Sequence, residues 1–215
     1  MNKKIMKIES PKLFPSDLPV FKQLTIQSDD FFEMRMIADC VIENQTAHKV
    51  TFEKIIFKNV TFTETILRGA EFTDVIFERC DLSNVDFTDA IIHRTKFNEC
   101  KMIGINFASV TLRNVEMTSC IADYASFKLS NIKHAIIQDS SLRKIDFSNS
   151  KIQKFHLYGS NIDQAQLSGT KLEGIDLSDC EFDGLGLTVE DLKGCIISRE
   201  QTYIFAKLFG LIVNE

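Results

Sequence analysis

Apolar residues recur at every fifth position through most of the chain. Counting from Phe52 in steps of five, all 28 positions to Leu187 are apolar, and 11 of the 18 phenylalanines sit on them. Within this lane only Ala122 is small. A helix repeats every 3.6 residues and a strand every two, so neither alone accounts for a period of five. A second lane runs two residues earlier, through Val50, Ile55, Val60, Thr65 and Ala70. It carries no charge and is mostly small or β-branched, with Phe155 and Leu185 as bulky exceptions. Side chains alternate in extended chain, so positions i and i−2 point the same way. Both lanes are predicted to face inward, and the residue between them to face water. Positions i+1 and i+2 are polar, and seven of the nine glycines fall at i+2, as suits a corner needing positive φ. Each five-residue unit thus predicts one short extended side followed by a turn, with no slip of register between 50 and 187.

The cysteines set the number of sides. Cys40, Cys80, Cys100, Cys120 and Cys180 differ by multiples of twenty, which is five of the six. A coil of four sides in twenty residues stacks them in one column at an inner corner. The expectation is an all-β square tube of about eight coils, with parallel strands ~4.8 Å apart. All three prolines, Pro11, Pro15 and Pro19, lie before Val20, and a long proline-free stretch suits continuous strand pairing. The expected organisation is a proline-containing lead-in over 1–29, a coiled body over 30–195, and a cap over 196–215.

A solenoid exposes unpaired edges at both ends and must cap them. Ser198 and Gln201 have the spacing of a capping box. A helix is predicted from about Arg199 to Phe209, stopping at Gly210, followed by a short apolar strand at 211–213. Ile204, Leu208, Leu211, Ile212 and Val213 form an apolar set that either folds onto the last coil or packs on a second subunit.

Composition narrows the function classes. With 25 basic and 30 acidic residues the net charge is −5, which argues against a basic nucleic-acid binder. No run is long enough for a signal peptide or a membrane span, so a cytoplasmic location with reduced thiols is expected. Stacked cysteines run parallel rather than converging on a tetrahedral centre, and the four histidines show no ligand spacing. No catalytic triad, phosphate-binding loop or paired catalytic carboxylates can be read. No metal, cofactor or catalysis is expected. Ala122 would leave a void costing roughly 2–5 kcal/mol if unfilled, and Tyr124 or a neighbouring coil is expected to compensate.

The units "CDLSN", "VDFTD", "IDFSN" and "IDLSD" resemble the pentapeptide-repeat family, while "AIIHR" and "AIIQD" keep only the inward lanes. The resemblance covers about residues 30–195 and implies a right-handed quadrilateral parallel β-helix. "PKLFPSDLP", "CIADYASF" and "REQTYIFAKLFGLIV" are similar to the Qnr group, especially its chromosomal Gram-positive forms. That similarity implies a rod-shaped homodimer, joined through the C-terminal apolar set. It also implies a partner, DNA gyrase or topoisomerase IV, protected from quinolones by partial imitation of DNA. Register-breaking loops found in some Qnr proteins are missing here, so contact must come from the smooth sides or the termini.

Charge limits the imitation. Eight coils span ~38 Å, and duplex DNA of that length carries about 22 charges. A net charge of −5 cannot match this globally. Sorted by side, the first side is net basic, with His93, Arg94, Arg113, Lys133, His134, Lys151 and Lys154. The second side offers Glu99, Glu116, Asp139, Asp176 and Asp179. The third offers Asp81, Asp123, Asp163, Glu181 and Asp183, and on the fourth Asp86, Asp89 and Asp146 align. These acids are the candidate partner contacts. The alternative is a protein-interaction rod for a partner other than a topoisomerase.

Overall fold

The computed structural model describes residues 6–13 and 18–212. The chain winds as a quadrilateral parallel β-helix. Its strands are β1 (Val20–Phe21), β2 (Phe31–Glu43), β3 (Thr46–His48), β4 (Thr51–Thr63), β5 (Ile66–Arg68), β6 (Glu71–Glu78), β7 (Ile91–Asn98), β8 (Thr111–Thr118), β9 (Asn131–Gln138) and β10 (Lys151–Tyr158). One eight-stranded sheet runs β1-β2-β4-β6-β7-β8-β9-β10, and β3 pairs β5. From β2 upward, partners in the ladder lie twenty residues apart: Phe32 with Phe52, Phe52 with Phe72, Phe72 with Ile92. The twenty-residue coil inferred from the cysteines is therefore the repeat of the fold.

The corners explain the period. Every i+2 residue from Asp29 to Gly174 has left-handed φ, thirty in succession, and 25 of them are not glycine. Leu129 at 59° and Tyr124 at 62° are the bulky extremes. Of the seven glycines expected at such corners six adopt positive φ, and Gly184 does not. The four sides are not equivalent. The first two form one bent strand, for example β8, which turns at Asn114. From Cys80 on the other two close as turns, with the Val85 N–H donating to Leu82 O (3.2 Å) and the Ala90 N–H to Phe87 O (3.1 Å), whereas in the earlier coils they are strand, the ends of β2 and β4 and the short β3 and β5. A left-handed second central residue makes these type II turns.

Both inward lanes are buried as expected, except that Ile152 and Leu187 are only partly covered. Phenylalanines stack at the strand spacing: Phe52 on Phe72 at 5.0 Å, Phe57 on Phe77 at 4.9 Å, Phe77 on Phe97 at 4.8 Å. Each buried ring contributes about 1.5–3 kcal/mol of transfer free energy. The cysteine column is present and its geometry repeats. Cys80 Sγ donates to Phe57 O, Cys100 Sγ to Phe77 O and Cys120 Sγ to Phe97 O, at 3.3–3.5 Å. The adjoining Cys120 and Cys80 thiols, together with burial, push the Cys100 thiol far up, so it stays protonated.

Ala122 is buried between Met102 and Leu142 of the adjoining coils, both fully enclosed. Tyr124 does not fill the space beside it. The residue is 58% exposed, and its ring lies under Lys144 Nζ at 5.2 Å. The left-handed corner at Tyr124 directs its side chain outward, which the sequence pattern alone did not reveal.

Both ends are closed. At the start, β1 pairs with β2, Val20 opposite Met36. Residues before it lie along the first side: the Lys12 N–H donates to Asp74 Oδ1 (2.9 Å), and Glu9 faces His93, Arg94 and His134. Asp74 is consequently buried although it stands at an outward corner, and Asn114, two coils on in the same column, is buried too. At the other end, the Ser198 N–H donates to Gln201 Oε1 (2.9 Å) and the Gln201 N–H to Ser198 Oγ (3.3 Å), the reciprocal box read from the sequence. The helix that follows, α1 (Thr202–Leu208), is shorter than expected, and Gly210 ends it at φ 76°. Leu211 and Ile212 form no strand, and Val213 lies outside the described residues.

Candidate interaction surface

The solvent-facing corner and side positions carry the charges, and the twenty-residue stack decides which of them meet. A residue sits over its equivalents in the coils before and after. Acid and base placed twenty or eighteen apart therefore pair. Lys101 Nζ lies 3.2 Å from Asp81 Oδ2, Lys96 Nζ 2.9 Å from Glu116, Arg68 Nε 2.8 Å from Asp86 and Lys128 Nζ 3.1 Å from Asp146. With Asp163, which stands 3.9 Å from Arg143, five of the thirteen predicted acids are engaged by cations of their own rod. Asp81, Asp86 and Asp146 also accept the backbone N–H two residues on, from Ser83, Thr88 and Ser148. Despite burial, these bonds and the cations hold the three carboxyls below their usual range. Their first task is to stabilise turns and coil stacking. Asp89, Glu99 and Asp139 occupy left-handed corners.

The remaining acids gather toward the C-terminal end. Residues 160–200 hold nine acidic side chains and three basic ones. That excess of six exceeds the net −5 of the whole chain. A cleft between the last coils of the third side and α1 brings Asp163, Glu181, Asp183 and Glu200 together, with Tyr203 and Arg143 on its wall. Asp163 accepts the Asp183 N–H at 3.0 Å and stands 3.9 Å from Arg143, and these hold its carboxyl low and charged. Asp123 accepts from Ser141 Oγ and from the Arg143 N–H (3.0 Å), linking it to the same wall. Asp179 turns toward the preceding coil and accepts the Gly159 N–H at 3.2 Å. Asp176 accepts the Ser178 N–H at 2.9 Å. Sequence reasoning missed Glu200, because its position depends on α1 folding back over the last coil. The Ser198–Gln201 box was the one signal that placed it.

The C-terminal apolar set divides. Ile204 is buried against its own last coil and Leu208 is packed at its margin, while Leu211 and Ile212 are 61% and 92% exposed. Ile204 was expected at a subunit interface; its burial beside Phe205, which meets Phe182 edge-on at 5.9 Å, makes it part of this chain's cap. Gln201 fixes the cap further, with Nε2 donating to Leu177 O and Cys180 O, both at 2.9 Å. Among the described residues no cluster of His, Cys, Asp and Glu has metal-holding geometry, and no helix is long and apolar enough to cross a membrane.

Comparison with known proteins gives a consistent picture of the repeat. A family model described as pentapeptide repeat region matches residues 70–147 and 90–167. Models described as pentapeptide repeats match residues 37–101 and 160–199. A Bacillus subtilis (strain 168) relative, the uncharacterized protein YisX, is 45% identical over 188 residues, covering 87% of this chain and 89% of the relative. Among solved structures, HetL of Nostoc sp. strain PCC 7120 is a pentapeptide repeat protein involved in heterocyst differentiation regulation. It superposes with a TM-score of 0.49 at 16% identity, covering 79% of this chain and 90% of HetL. Full-length QnrB1, a plasmid-mediated fluoroquinolone resistance protein, gives 0.39 at 13% identity, covering 84% and 100%. Likenesses at this level carry no argument about function.

Proposed function

The chain belongs to the pentapeptide-repeat family, and on that premise we propose that it is a non-catalytic binding protein whose acidic C-terminal end docks on a type II topoisomerase, DNA gyrase or topoisomerase IV, and protects it from quinolones. The observation that carries this reading is the concentration of negative charge in residues 160–200, around a cleft with an exposed tyrosine. A positively charged DNA-binding saddle is the surface such an end complements. The likeness of "PKLFPSDLP", "CIADYASF" and "REQTYIFAKLFGLIV" to the Qnr group supports it independently of charge. Imitation of DNA is then local: the middle of the rod pairs acids with cations coil by coil, and the last coils hold more acids than cations. The exposed Leu211 and Ile212 are proposed to join two copies into a homodimer, with Val213 continuing that set.

The test is gyrase supercoiling in a fluoroquinolone, with and without purified protein. Rescue of supercoiling is expected, and loss of rescue in a variant with Asp176→Lys, Asp179→Lys and Glu181→Lys that keeps its β-rich circular dichroism. Unchanged rescue by that variant removes the acidic end from the mechanism, and no rescue by the native protein removes the topoisomerase. A second reading, a rod for another protein partner, is favoured by the internal pairing of Asp81, Asp86, Glu116 and Asp146, which leaves little acidic surface along the shaft.

A further inference from the structure

The solenoid is not evenly closed. In regular coils the N–H of the central residue reaches the carbonyl nineteen positions on, as in Phe62 to Asp81, Met102 to Ile121 and Ala122 to Ser141. The residue before it donates to the coil below, as in Thr111 to Ala90 and Lys151 to Ser130. By this rule Ile152 should donate to Lys171 O, Lys171 to Ser150 O and Lys154 to Glu173 O. None of the three bonds exists among the described residues. The eight-stranded sheet ends at β10 although another coil follows. That following coil is bonded upward, Leu172 N–H to Asp191 O and Gly174 N–H to Gly194 O, and the same two coils remain joined on the third and fourth sides through Ile162 to Glu181 and Leu167 to Gly186. The first side is therefore hinged open between Lys151–Lys154 and Lys171–Gly174.

Phe155 is the wedge. Its column reads Ile55, Val75, Thr95, Val115, Ala135 below it and Ile175 above, all smaller. Its ring turns into the tube against Phe147 at 5.7 Å, and Ile152 beside it loses the full burial of Ile92, Leu112 and Ile132. Behind the opening lies an apolar cavity lined by Ile152, Phe155, Leu167 and Leu172. Two open clefts flank it, sharing Ile152, Gln153 and Lys171. Lys151, Lys154 and Lys171 stand around the mouth with Glu173 as the one acid lining it, and none of the three lysines has an ion-pair partner among the described residues. Glu9 faces the cations lower on the first side and reaches as far as His134.

We propose that this opening is a docking site for a short, extended, acidic peptide of a partner protein, added as a strand along Lys151–Lys154. An edge strand offers backbone groups that pair with an extended segment, and alternate side chains supply selectivity. One apolar side chain packs over Ile152 in the clefts at the mouth, and its acidic neighbours meet the three lysines. The site is distinct from the acidic C-terminal cleft and does not depend on the topoisomerase reading.

The full-length protein is titrated with a fluorescein-labelled Asp-Val-Asp-Val-Asp peptide and with its Lys-Val-Lys-Val-Lys counterpart, and amide hydrogen exchange is followed in parallel. The acidic peptide is expected to bind roughly tenfold tighter or better, and to lose roughly tenfold in the variant Lys151→Glu, Lys154→Glu, Lys171→Glu. The amides of Ile152, Lys154 and Lys171 are expected to exchange fast in the free protein and slowly with peptide bound. Phe155→Val should close the ladder, protecting those amides without peptide and abolishing binding; if it fails to fold, the lysine variant and the exchange data still decide. Slow exchange at these amides in the free protein overturns the proposal, as does equal binding of the two peptides. Equal binding of a thymidine oligonucleotide overturns it in favour of a generic polyanion surface, and a dimer contact that protects the same amides gives the opening to a second copy.

Discussion

At the residue scale, the corner sets the terms. An L-residue in the left-handed region pays roughly 1–2 kcal/mol, less for asparagine and aspartate. Leu129 pays it while 65% exposed, and so gains little by burial. Leu129→Asn is expected to raise stability by about 0.5–1 kcal/mol in urea unfolding, with the m-value unchanged. Asp74 shows the opposite economy. Its two oxygens meet Arg94 Nε and Nη2 at 2.6 and 2.8 Å, and the Lys12 N–H meets the first. Burial works against its charge, yet Arg94 and that N–H hold its carboxyl below the usual range. A depressed carboxyl stabilises the fold above the unfolded value of about 3.9 and loses that contribution as pH falls through the folded value. Stability is therefore expected to hold level from neutrality to about pH 4 and then fall. Asp74→Asn should cost about 3 kcal/mol at pH 7, by leaving Arg94 unpaired, and flatten the acid limb. This contact was invisible in the sequence, since Lys12 and Asp74 are 62 positions apart and outside any shared period.

At the element scale, the five-residue lane and the cysteine spacing made strands, coil size and inner faces legible before any coordinates. They succeeded because one short rule repeats and the register never slips. What they missed came from single residues that break the rule by size. Phe155 was visible as a bulky member of the small lane, but the resulting loss of pairing above β10 depends on how the next coil stacks. The cap was legible as a box and helix, though not in its anchoring. Gln201 satisfies two carbonyls of the last coil. Gln201→Ala is expected to cost about 2 kcal/mol and to speed amide exchange around Leu177–Cys180 while leaving β4 to β8 unchanged.

At the scale of the whole molecule, charge and apolar surface are sorted along the rod. The shaft neutralises itself by stacking, and the C-terminal end keeps its acids. The distribution was half legible: the sides could be sorted from the period, but which acids are paired follows from side-chain reach between coils. Because contacts lie near twenty positions apart, removal of a complete coil preserves every column. Deleting residues 111–130 is expected to leave a folded, shorter rod with cooperative thermal unfolding, since neighbouring repeats supply each other's interfaces. Deleting residues 111–120 should abolish it, because two sides are lost and each later residue moves to the opposite side.

A solenoid of this kind unravels like a zipper, each coil held by the next, so damage at one end travels unless something arrests it. The missing bonds above β10 act as a firebreak. The two coils and helix beyond it can loosen together and reclose, while the phenylalanine stack from Phe52 to Phe147 remains shut.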